Sequence, residues 1–211
     1  MKNAGKHAEE LKVLCKKLVK EKPERPDMEP LKAIVRGTLS MDADDMLVDE
    51  ALEKINVEFV DLNELRVATE LEVVDLLGEE HPKIDEKATI IRATMHGIFD
   101  REQTMKFERI MELKKAEIRQ FFRDLETMPP FVEAFVALHA FDISAFPIDE
   151  STLDYLIDSD VIEESASMEE AQAFLEGHIK SDDMYGTYLA VRAKALTHER
   201  KKPRKEVAKK K

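Results

Sequence analysis

The 211 residues carry 37% Asp, Glu, Lys and Arg and a formal net charge of −12, with no tryptophan, one cysteine and six glycines. One cysteine excludes an internal disulfide framework, no run is long and apolar enough for a membrane span, and residues 1–22 lack the apolar centre of a secretory signal, so a cytoplasmic chain with no membrane partner is expected. Few glycines, helical periodicity and the lack of alternating strand patterns predict an all-α fold, with enough chain for one core or two small lobes.

Residues 2–22 read as an amphipathic helix with Leu11, Leu14, Cys15 and Leu18 on one face. Pro23, Pro26 and Pro30 make the next stretch a linker or an extended wrap. Helices follow over 31–39 and over 42–55, the second starting at Asp42. A short helix begins at Asp61-Leu62-Asn63, another covers 69–77 and stops at Gly78, and 84–99 follows the His81-Pro82 turn. Phe107, Ile110, Met111, Ile118, Phe121, Phe122 and Leu125 predict one long helix over 106–125.

Met128-Pro129-Pro130 forces a turn, because proline cannot continue the preceding helix. Residues 131–140 are helical again, with Phe131, Phe135 and Leu138 on one face. Phe146-Pro147 breaks that run. Asp149 then stands just before Ser151-Thr152-Leu153-Asp154, which fits a capping box, as does Ser167-Met168-Glu169-Glu170 ahead of a helix ending near Gly177. The last helix spans 182–198 and includes Tyr185, Tyr188, Leu189 and Arg192.

This order of hairpin, helix, Pro-containing loop and aspartate resembles the helix-hairpin-helix DNA glycosylases of the endonuclease III superfamily. Residues 31–47 look like that family's L-x-x-x-L-L-S-x-Q-x-x-D segment, and Asp85-Glu86-Lys87-Ala88-Thr89-Ile90-Ile91 looks like its S-K-A-x-x-I-I helix. The resemblance covers about residues 30–196. It implies a two-lobed all-α bundle with a helix-hairpin-helix motif and a cleft between the lobes. Residues 1–29 would be a basic helix and linker, 30–198 the glycosylase-like domain, and 199–211 a basic, disordered tail.

The resemblance also assigns roles. Pro129, Pro130, Phe131 and Val132 would occupy the hairpin that meets DNA. Asp149 would be the catalytic carboxylate, assisting base loss. Ser40, Asp42 and Tyr185 would be pocket residues by position, Asp42 standing at the family's glutamine. Departures accompany the match. Pro130 and Val132 replace glycines whose N–H groups approach a phosphate. Ala134, beside Glu133, replaces the Schiff-base lysine, so lyase chemistry by that route is excluded. Cys15 alone cannot hold the iron–sulfur cluster of many members, and no cofactor or metal is expected.

Each candidate has a plainer reading. Asp149 suits a helix N-cap as well as a catalyst. His139 reads as a boundary residue, and His96 and His178 are isolated. Asp42, Asp44 and Asp45 resemble half a calcium loop, but lack its glycine and closing glutamate. There is no phosphate-binding glycine motif.

Charge is uneven. Residues 1–25 hold eight Lys/Arg and four Asp/Glu and residues 199–211 eight and two, leaving −22 on residues 26–198. Such a body repels DNA unless its cations gather on one face, while the basic tail could supply non-specific affinity. The expected function is therefore double-stranded DNA binding at damaged sites with monofunctional base excision through Asp149. The alternative is a catalytically inactive relative serving as a protein or nucleic-acid interaction module.

Overall fold

The computed structural model describes residues 4–199, so the basic tail lies outside the described residues apart from Glu199. Those residues form α-helices and no strand. In chain order they are α1 (Ala4–Leu18), α2 (Pro30–Ser40), α3 (Asp45–Glu58), α4 (Glu64–Val67), α5 (Glu70–Leu77) and α6 (Ile84–Glu102). Then come α7 (Glu108–Met111), α8 (Lys115–Arg123), α9 (Pro130–Ala140), α10 (Glu150–Asp158), α11 (Met168–His178) and α12 (Ser181–Ala195). The chain divides into two compact units: one takes both chain ends, up to Glu24 and from Ile148 onward, and the other is Arg25–Pro147.

Local sequence sets the boundaries. Pro30 and Pro130 open α2 and α9 at positions where a missing N–H costs no helical hydrogen bond. Thr69 and Glu72 cap α5 reciprocally, as Ser167 and Glu170 cap α11. Gly78 ends α5 at φ 89°, a conformation a side chain would resist.

Two expected helix boundaries are corrected. The helix expected over 106–125 is split into α7 and α8. Lys114 between them is extended, and its N–H donates to the Glu117 carboxylate at 2.9 Å instead of to a helical carbonyl. A local side-chain acceptor has displaced the helical one, and hydrophobic periodicity is blind to that exchange. Asp42 does not open α3: it takes a left-handed φ of 50°, and Asp44 is the N-cap, accepting from Leu47 N at 2.9 Å.

In the central unit, α2 against α9 is the most extensive helix pair. Every residue from Phe131 to His139 is buried. Gly37 of α2 makes the approach close: a Cβ there would lie 2.9 Å from the Phe135 ring. His139, expected at the boundary, is instead buried, stacks on Phe135 with ring centroids 3.8 Å apart, and bonds Phe135 O through Nδ1.

The unit built from the chain ends packs α1 on α12 and α10 on both α11 and α12. Leu11 and Leu14 share its core with Leu153, Leu156, Phe174, Leu175, Met184, Tyr188 and Val191. Gly186 leaves room for the Pro23 ring, whose Cδ would stand 2.9 Å from a Cβ there. His7 Nδ1 meets Asp160 O at 2.9 Å, and His198 Nε2 meets Asp158 Oδ2 at the same distance.

Candidate functional site

Asp149 is positioned by the helix it starts. With φ −106° and ψ −179° it is the N-cap of α10, and its Oδ1 accepts from Thr152 N at 2.9 Å and Ser151 Oγ at 3.0 Å. The capping residue is thus Asp149 itself, two positions ahead of the Ser151 box read from the sequence. Oδ2 lies 3.7 Å from Arg192 Nη1 on α12, and both side chains are almost wholly buried, at 3% and 4% exposure. Asp149 is therefore a buried anion, oriented by one helix start and paired with a buried guanidinium. Arg192 on an otherwise apolar helical face was the sequence signal for that pairing.

The hairpin lies in the central unit and joins α8 to α9. Pro129 is extended, Pro130 has no N–H, and Glu133 N already donates to Pro129 O at 3.0 Å. That leaves the backbone N–H groups of Phe131 and Val132 outside the α9 ladder, while both side chains are buried. Of the four hairpin residues singled out by sequence, only Pro129 and Pro130 present side-chain surface.

A lock missed in the sequence closes this hairpin. Glu133 is 2% exposed, and Arg119 of α8 grips it with both arms, Nε to Oε1 at 2.7 Å and Nη2 to Oε2 at 2.9 Å. Arg123 Nε stands 3.6 Å from Oε2. The fork geometry fixes the register of α8 on α9. Ala134 is fully buried.

The remaining candidates fall in both units. Ser40 ends α2 and is buried, and Asp42, two residues on, accepts from Lys83 Nζ at 3.0 Å. Both belong to the central unit, whereas half-buried Tyr185 on α12 shares a unit with Asp149. Near Ser40, the fully buried Lys87 donates to Leu39 O at 2.9 Å, a cation on the last carbonyls of α2. His81 is buried with neither ring nitrogen hydrogen-bonded, and desolvation, then the Lys87 charge, pushes its pKa below the ordinary histidine value.

No protein-family model matches the sequence, and no curated protein is similar to it. Solved structures are. An 8-oxoguanine glycosylase/lyase from Clostridium acetobutylicum, in complex with duplex DNA containing cytosine opposite 8-oxoguanine, aligns with TM-score 0.68 and 17% identity over 91% of this chain and 70% of its own. Endonuclease III, trapped as a covalent intermediate with DNA, aligns at 0.64 and 14% over 91% and 85%. The H. pylori 3-methyladenine DNA glycosylase MagIII, bound to 1,N6-ethenoadenine, aligns at 0.63 and 15% over 89% and 95%. The chain has the helix-hairpin-helix glycosylase fold across about nine-tenths of its length.

Proposed function

We propose that this chain binds duplex DNA at damaged sites and releases a base by hydrolysis, with Asp149 as the carboxylate that stabilises positive charge on the sugar as the glycosidic bond breaks. The observation that carries this reading is Asp149 itself: a buried carboxylate, held at the N-cap of α10, following a helix-hairpin-helix on a glycosylase fold. Oδ1 is fixed by Thr152 and Ser151, so the carboxylate is oriented before any substrate arrives. Water is the nucleophile, because Ala134 offers no amine for a Schiff base, and strand cleavage does not follow base loss. The backbone at Pro129–Val132 and the basic tail supply the DNA contacts. Ser40, Asp42 and Tyr185 are the candidates for meeting an extruded base.

A second reading, an inactive relative acting as an interaction module, is favoured by the hairpin: Pro130 removes an N–H donor and Glu133 already occupies the Arg119 fork. Binding to a duplex carrying an abasic-site analogue, against undamaged duplex at two salt concentrations, separates the two. Lesion-selective binding by a chain ending at His198, with base release abolished in Asp149→Asn, supports the enzyme. Binding that disappears with the tail and ignores the lesion supports the module.

A further inference from the structure

Two histidines are buried in the Arg25–Pro147 unit, and their rings are treated differently. The His139 ring bonds Phe135 O. His81, 2% exposed in the turn from α5 to α6, has no hydrogen-bond partner at either ring nitrogen among the described residues. Four charged groups act on that ring. Lys87 of α6 and Lys54 of α3 are the cations, and Glu80 in the turn and Asp44 at the N-cap of α3 are the anions. Lys87 is fully buried on Leu39 O, and Lys54 is held by Leu77 O and Glu80, so both cations are fixed in place. A proton on His81 would therefore enter a desolvated site that already faces a buried ammonium.

The turn that carries His81 gives way more easily than the helices beside it. Gly78 and Lys83 bound it with positive φ, 89° and 55°, and the lysine lacks the freedom that suits a glycine to such a conformation. The His81 amide reaches only back to Gly78 O, at 3.3 Å. Lys83 Nζ meets Asp42 Oδ2 at 3.0 Å, but both side chains are partly exposed and water weakens the pair. Among residues 78–83 His81 alone is buried, so swinging the turn outward uncovers little apolar surface.

We propose that His81 is a proton-triggered latch: the turn of residues 78–83 stays closed over the neutral imidazole and opens locally, ahead of global unfolding, when His81 takes up a proton. In the closed turn desolvation, then the Lys87 charge, disfavours the imidazolium and outweighs the attraction of Glu80 and Asp44. In the open turn the ring meets water and titrates near the ordinary histidine value of about 6.5. A fall in pH therefore stabilises the open turn more than the closed one, and well above that value the proton has no effect on either. The latch lies within the Arg25–Pro147 unit and does not depend on the proposed DNA activity.

Native-state amide hydrogen exchange on the full chain, corrected for the intrinsic pH dependence of exchange, tests the latch. From about pH 7.5 to about pH 5.5 the protection of the Gly78 and His81 amides should fall severalfold, with about tenfold as the ceiling for one proton taken up at about 6.5. Their exchange should depend little on urea at either pH, whereas the amide of the fully buried Val136 in α9 should need the urea-sensitive global unfolding. In His81→Gln the protection of Gly78 should not change with pH. In the unmodified chain the His81 ring resonance should titrate below the ordinary histidine midpoint. A Gly78 protection that ignores pH, an equal fall in His81→Gln, a urea dependence matching that of Val136, or a ring that titrates at or above the ordinary midpoint would each overturn the proposal.

Discussion

At the scale of single residues, the buried charges make the sharpest predictions. Asp149→Ala removes a helix cap and strands Arg192 at 4% exposure, so it should cost about 3 kcal/mol or more in urea unfolding. Asp149→Asn retains a capping oxygen and should cost about 1 kcal/mol less than the alanine change, which is why it is the cleaner probe of base release. Glu133→Gln leaves the Arg119 fork half-satisfied and should destabilise by about 3 kcal/mol, whereas breaking the exposed Lys12–Glu9 pair should cost about 0–1 kcal/mol. His81 gives a pH signature. Its folded pKa lies below the unfolded value, so above about pH 6.5 neither state holds the proton and stability is unaffected. As pH falls through that value the unfolded chain binds the proton first, and stability is lost until the folded value is reached. His81→Gln should flatten that stretch of the stability curve, by no more than about 1.4 kcal/mol per pH unit. An unchanged slope would place the titration elsewhere.

At the scale of elements, α2 and α9 touch through a glycine. Gly37→Ala should push a methyl into the Phe135 ring and cost about 1–3 kcal/mol, read as a lower urea midpoint. Combining it with Phe135→Leu should cost less than the sum of the two changes, because the second relieves the first. The sequence made most helices legible, since prolines at 30 and 130, Gly78 and the Ser167 box are punctuation with a local physical cause. It failed where the deciding partner was a side chain competing with the backbone, as at Lys114 and Glu117, or where a residue other than glycine turned left-handed, as Asp42 does. The candidate site was legible in the same measure. Asp149 was visible as an aspartate ahead of a helix, but its partner Arg192, 43 positions on, was visible only as a cation on an apolar face.

At the scale of the whole molecule, the fold was legible through order and spacing, while charge placement required the structure. The tail should dominate the salt dependence of DNA binding: each cation that meets a phosphate adds about −0.9 to the slope of log K against log salt. A chain ending at His198 should therefore show a much shallower slope in filter or anisotropy titrations, and equal slopes would mean that the helical body carries the phosphate contacts. The division into units has a further consequence. Residues 25–147 are contiguous, but the other unit needs α1 to meet α12, with Pro23 against Gly186 and His7 against Asp160. On a ribosome adding about 5–20 residues per second, α1 emerges well before α12 and waits roughly ten to thirty seconds for the helix that covers Leu11 and Leu14. During synthesis α1 is made long before it is buried, and the nascent chain carries an uncovered apolar face that chaperones can hold until α12 follows.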